Sequence, residues 1–227
     1  MKTAPMPDPT GFSLVELLVV VAVIAILLAV GASALSQGGN SLGLTTTVGS
    51  VQGILDEARQ IAVSRNKYVQ VRFLEKSPTE TPPCYRAISL YVGDSPYYGT
   101  NAADYDTWVS QGLLRQQGRI SKLPQTIMIP KGEQTAKLLV DLAADTDFVR
   151  TGTSSVAGQS YGWVAFYFRP NGITDFQMLN GVPYSGTNAF FSLAVETEFA
   201  QTKPNLPKNF ATITIPPVSG RPVVFRP

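Results

Sequence analysis

The chain has 227 residues with 18 basic and 16 acidic side chains, a formal charge of +2 and a pI near 8.6, too mild a balance to imply a nucleic-acid or acidic partner by itself. It contains no histidine and one cysteine, Cys84. That excludes a Ser-His-Asp or Cys-His nucleophile, a His-ligated zinc site, a thiolate metal cluster and an intrachain disulfide, so no cofactor and no metal are expected.

The first apolar stretch begins almost at once. Leu17–Leu35 is a run of 19 residues without a charge, about 28 Å long as a helix and close to the roughly 30 Å of a bilayer core. Glu16 stands at its threshold. A plain transmembrane anchor explains the length of the run but gives Glu16 no task. A secretory signal peptide would use Ala32-Ser33-Ala34 as a cleavage pattern, yet it needs a positive n-region, and here Lys2 and the amino terminus face Asp8 and Glu16. The third possibility is cleavage after Gly11. Phe12 then becomes the amino terminus and Glu16 lies four residues on, on the same helix face and in the positive first turn. A lone carboxylate in apolar surroundings costs about 2.5–3.5 kcal/mol at a helix centre, and the Phe12 amine of a neighbouring copy would offset that cost.

Gly11-Phe12-Ser13-Leu14-Val15-Glu16 followed by an apolar helix resembles the type IV prepilin signature, shared by pilins and type II secretion pseudopilins. The resemblance implies a membrane peptidase that cuts after Gly11 and methylates the Phe12 amine. It also implies that Glu16 guides assembly into a helical filament from the bacterial inner membrane, with the head on the periplasmic side. The expected partners are the prepilin peptidase, other pilin or pseudopilin subunits and inner-membrane lipid. Two features depart from the family pattern: the leader MKTAPMPDPTG has three prolines and one lysine, and Gly31-Ala32-Ser33 stands where many major pilins have a proline.

Ser36-Gln37-Gly38-Gly39-Asn40 is a composition break that would normally end a helix. The helical period then returns, with Val48, Val51, Leu55, Ala58 and Ala62 on one face and Ile54 and Ile61 widening it, over Thr45–Ser64. After Asn66 the period changes to two. Strands are expected at Lys67–Leu74, Tyr85–Val92, Thr126–Ile129, Lys137–Leu142, Gly162–Phe168, Ala189–Glu196, Phe210–Ile215 and Pro222–Phe225, with turns at Arg169–Gly172 and Val218–Arg221. Trp163–Phe168 is apolar on both faces, as in a strand between packed layers. The expected fold is α+β: a long N-terminal helix, half transmembrane and half amphipathic, packed on an antiparallel sheet or sandwich. Its parts are a leader (1–11), a transmembrane helix (12–37), a Gly-rich joint with an amphipathic helix (38–66) and a β-rich head (67–227).

Leu55–Phe73 is similar to the helix-to-strand passage of H-type minor pseudopilins and minor pilins, with "FYFRPNGIT" and "FATITIPPVSGRPVVF" similar to their later strand-turn motifs. The length and the Asn209–Pro227 ending also resemble the cassette protein D group of the Verru_Chthon class. These likenesses imply a minor component of a pilus or pseudopilus and no enzymatic activity.

Other patterns are weaker. Ser64-Arg65-Asn66-Lys67 matches S-x-x-K, but neither S-D-N nor K-T-G follows, and a basic helix C-terminus explains it better. Asp141, Asp145 and Asp147 lack the Gly turn and terminal Glu of a calcium loop, so a solvated acidic loop is expected. Tyr97, Tyr98, Tyr105 and Trp108 sit among Gly, Ser, Asn and Asp, either as a recognition loop or as rings folded over a sheet edge. Gln201–Pro227 holds Lys203, Lys208, Arg221 and Arg226 with no acid. Together these residues define the alternative, a minor pilin that acts as an adhesin or captures DNA at the cell surface, against the simpler reading of a charge-protected strand edge.

Overall fold

The computed structural model describes residues 14–75, 81–97, 99–156 and 159–227, and the side chains of 29–40 are not among those described. The chain divides into two compact units, Met1–Asn40 and Ser41–Pro227.

Helix α1 runs Leu14–Arg65, with the helical assignment continuing through Gly38-Gly39-Asn40. No proline falls between Pro9 and Pro78, so nothing in that interval removes a helical donor. Thr45, Thr46 and Thr47 are poor helix formers, but each hydroxyl donates to the carbonyl four residues back (Ser41, Leu42 and Gly43, at 2.8, 3.0 and 2.7 Å). The helix ends where Asn66 turns left-handed at φ 51, a conformation asparagine tolerates, and Lys67 N donates to Ala62 O.

Leu44, Val48, Val51, Leu55, Ala58 and Ala62 are buried, so the alternating three- and four-residue spacing legible in the sequence does set the core face of the helix. Upstream the pattern is different. From Leu14 to Leu28 the large aliphatic side chains are exposed, between 47% and 78%. Among the described residues no helix is long and apolar enough to cross a membrane, and the described side chains cover the Leu17–Leu35 run only as far as Leu28.

The rest of the chain is β1 (Tyr68–Glu75), β2 (Cys84–Tyr85), β3 (Ala87–Gly93), α2 (Ala102–Ser110), β4 (Leu114–Lys122), β5 (Ile127–Pro130), α3 (Lys137–Ala143), β6 (Thr151–Val156), β7 (Gln159–Phe168), β8 (Met178–Leu179), β9 (Val182–Pro183), β10 (Phe190–Val195), α4 (Glu196–Thr202), β11 (Phe210–Thr214) and β12 (Val223–Phe225). One sheet has the order β4-β3-β1-β7-β6 and a second the order β12-β11-β10-β5-β2, with β8-β9 a separate hairpin. The pairings are antiparallel, as expected.

The main core lies between the two sheets and the second half of α1. Val69, Val71 and Phe73 of β1 and Val164, Phe166 and Phe168 of β7 point into it, against Phe191 and Leu193 of β10 and Ala211 and Ile213 of β11. Phe73 meets Phe191 edge-on with ring centroids 5.0 Å apart. The alternate residues of the same strands, Leu74, Trp163, Ala165 and Tyr167, form a second cluster on the outer face of the first sheet with Tyr105 of α2. That double burial explains why Trp163–Phe168 is apolar on both faces.

Two expectations are corrected. Lys137–Leu142 is not a strand but most of α3, whose Leu138, Leu139 and Leu142 are buried at helical spacing; Lys, Leu and Ala favour the helix there. The polar segment up to Trp108 is not all loop but contains α2, started by the Asn101 side chain accepting from Ala103 N at 3.0 Å.

Tyr85, Tyr105, Tyr167 and Tyr184 are buried to varying degrees, and burial raises the pKa of each hydroxyl. For Tyr184 the hydrogen bond to Asp141 and its negative charge add to the effect. A phenol whose folded pKa lies above its unfolded value near 10 contributes stability that is fully present below about pH 10 and lost as pH rises further. Thermal melts should therefore be level up to about pH 9.5 and fall above pH 10, with a shallower fall for Tyr184→Phe; an unchanged slope in that variant would remove Tyr184 from the account.

Candidate functional site

Glu16 sits in the first turn of α1, exposed, with Leu14, Val15, Leu17 and Leu18 exposed around it. A carboxylate there favours the positive end of the helix. The apolar surface around it is not confined to one side of the helix, unlike the stripe that begins at Leu44. Gly11 and Phe12, the expected processing residues, lie outside the described residues, as does Tyr98.

The aromatic group at 97–108 is assembled on the outer face of the first sheet. Tyr105 is 3% exposed, with ring centroids 5.3 Å from Tyr97, 6.1 Å from Trp108 and 5.5 Å from Trp163. Beneath α2 lies Arg72, a buried cation. Its Nε donates to Gln70 Oε1 (2.7 Å), Nη1 to Ser154 Oγ (3.0 Å) and Nη2 to the Tyr105 hydroxyl (2.6 Å). The Tyr105 hydroxyl donates onward to Gln70 Oε1, and Gln70 Nε2 donates to the Tyr167 hydroxyl. The guanidinium lies 3.8 Å from the Tyr91 ring centroid and 4.5 Å from that of Trp163, so ring faces carry part of its charge stabilisation. Tyr105 is thereby held as part of the fold, while Tyr97 and Trp108 keep partial exposure.

Of the acids expected in a solvated loop, Asp147 is exposed, while Asp141 and Asp145 are taken up in ion pairs. Asp141 pairs with Lys137 and accepts from the Tyr184 hydroxyl at 2.8 Å. Asp145 accepts from Arg150 Nε at 2.6 Å, and Asp175 pairs with Arg150 Nη1 while its other oxygen accepts from Tyr167 N at 2.7 Å. Burial disfavours the Arg150 charge, but the two carboxylates outweigh it and raise its pKa. Asp147 turns back through its amide to Asp145. Among the described residues no group of acids or thiols is placed to hold a metal ion.

Arg226 donates to Thr45 Oγ1 at 2.9 Å, and Lys208, Arg221 and Lys203 are exposed. Lys203 borders a cleft of about 550 Å³ with Lys131, Glu133 and Phe199. At the end of α1, Lys67 of the S-x-x-K pattern pairs with Asp94, and Arg65 donates to Gln117 at 3.1 Å. What sequence reasoning missed is Arg72 and Arg150: each stands singly in a β-forming stretch, and only the folded register reveals its partners.

Removing one member of a buried ion group leaves an uncompensated charge, so Asp175→Ala should cost about 3–5 kcal/mol in urea unfolding. Tyr105→Ala should cost about 3–5 kcal/mol as the cap over Arg72 is lost. Values under about 1 kcal/mol would show that these groups are not structural.

Residues 7–32 match the family model described as the prokaryotic N-terminal methylation motif. No curated protein and no solved structure matches the chain. The matched segment contains Gly11, Phe12 and Glu16 and the start of the exposed apolar helix, and it supports a type IV prepilin-like protein, a pilin-like subunit.

Proposed function

We propose that the chain is a subunit of a type IV pilus or of a type II secretion pseudopilus, as a minor component. A prepilin peptidase cuts it after Gly11 and methylates the Phe12 amine. Leu17–Leu35 holds it in the inner membrane, with the head on the periplasmic side, until it enters the filament. The observation that carries this reading is the single carboxylate of Glu16 at the start of a helix whose large aliphatic side chains are bare from Leu14 to Leu28. That surface calls for a lipid or helical environment, and the carboxylate calls for a cation within it. The amine of a second processed copy has the right charge.

A second feature supports lateral packing of α1. On the side of the helix away from the head core, Gly49 and Gly53 have nothing within 4 Å of where a Cβ would stand. A mid-helix glycine costs about 0.5–1 kcal/mol relative to alanine. Nothing in the chain's own head exploits the absent side chains, whereas close approach of another helix would.

Three outcomes test the reading. Mass spectrometry of membrane-extracted material from the native host should find a chain beginning at N-methyl Phe12; a chain retaining all eleven leader residues would sink the proposal. Glu16→Val should insert normally yet fail to co-purify with filaments. Gly49→Ala and Gly53→Ala should each raise head stability by about 0.5–1 kcal/mol in denaturant melts, while Gly53→Leu leaves folding intact and lowers filament incorporation.

A further inference from the structure

At one end of the second sheet the head gathers exposed apolar side chains and cations. Arg226 donates to Thr45 Oγ1 at 2.9 Å, which places the end of β12 against the Ser41–Thr45 turn of α1. There Phe225 is 60% exposed, Val223 56% and, on the helix, Leu42 69%. The register pairs Phe225 with Thr212, so the start of β11 lies at the same end, with Phe210 half-buried and Lys208 exposed four residues before Thr212. Cross-strand partners share a face, and the intervening Ala211 and Ile213 point into the core, so Phe210, Thr212, Val223 and Phe225 lie on the outer face. Phe199 of α4 covers that face beside Met128 and Ala194. Around β12 it is open. Among the described residues neither Phe210 nor Phe225 packs against another ring.

We infer that this end of the head rests on an anionic phospholipid surface. The inference depends on Leu17–Leu35 being a membrane span. Thr45 lies ten residue steps beyond Leu35, and even fully extended that stretch reaches no more than about 35 Å. The chain therefore keeps the Leu42–Phe225–Arg226 patch within reach of the headgroups. Its chemistry is that of an interface: aliphatic and aromatic side chains for the acyl boundary, and Lys208 and Arg226 for phosphate. A single-stranded nucleic acid would also take cations and rings, by stacking bases. Leu42 and Val223 offer no stacking surface, and the chain keeps the patch within reach of the bilayer, so lipid is the better match.

The test uses the full chain in nanodiscs of phosphatidylcholine alone or with phosphatidylglycerol, read by hydrogen exchange and mass spectrometry. Peptides spanning Ser41–Thr47, Lys208–Thr214 and Val223–Pro227 should exchange roughly fivefold more slowly in the anionic discs. The protection should disappear at high salt and in Lys208→Glu and Arg226→Glu, while the α2 peptide is unchanged. Equal exchange in both discs, with the chain inserted in both, overturns lipid docking and leaves the anchor standing. A chain that does not enter the discs overturns the anchor and the docking together. Protection by an added single-stranded oligonucleotide but not by phosphatidylglycerol assigns the patch to nucleic acid instead.

Discussion

Between Leu14 and Leu28 twelve large aliphatic side chains are about half exposed or more. Fully burying such a side chain is worth about 1.5–3 kcal/mol, so leaving twelve of them exposed to that extent forgoes roughly 10–20 kcal/mol. A domain's entire stability is about 5–15 kcal/mol. Solvation of Glu16 on one helix turn cannot offset a term of that size. The apolar surface must be covered by something other than water, and the match to a methylation motif over residues 7–32 points to membrane and filament as the successive covers. On the proposed function, the hydrophobic term confines the helix and the Glu16 carboxylate selects among the partners it can meet there.

The head solves the opposite problem, charge inside a folded interior, in two ways. Arg150 is flanked by Asp145 and Asp175, an arrangement whose three members depend on one another. Arg72 uses neutral acceptors and ring faces, with Tyr105 closing the network from α2. The first holds the 145–150 turn to the segment after β7, and the second holds α2 to the first sheet. Both tie polar, irregular stretches to strands that would otherwise expose an apolar outer face.

Much of this architecture was legible because burial leaves a period. Val48, Val51, Leu55, Ala58 and Ala62 repeat at helical spacing and are all buried, and the β1, β7, β10 and β11 segments announce themselves by β-branched and aromatic runs. The edge strands of the first sheet did not. In β4 and β6, LRQQGRISK and TGTSSV are polar because an edge strand buries little, so no alternation marks them. Lys137–Leu142 misled for a related reason: a seven-residue helix is too short for its period to outweigh an apolar run. At the N-terminus the order of legibility reverses. The Gly11–Glu16 motif is plain in the sequence, while Gly11 and Phe12 lie outside the described residues.

The two faces of α1 within the head connect packing to assembly. One face, Leu44 to Ala62, is spent on the core, where its spacing leaves no freedom to change partners. The other face carries Thr45, Thr46, Gly49, Ser50 and Gly53, which are exposed and small. A helix optimised only for the stability of its own head would have alanine, glutamate or lysine at such positions, since each glycine weakens it. Small residues kept there at a cost are explained if the same helix is packed from both sides in the working state: by its own sheets on one side, and by neighbouring helices that need close approach on the other. The monomer would then be an incomplete structure, stable enough to fold and shaped to be finished by its neighbours.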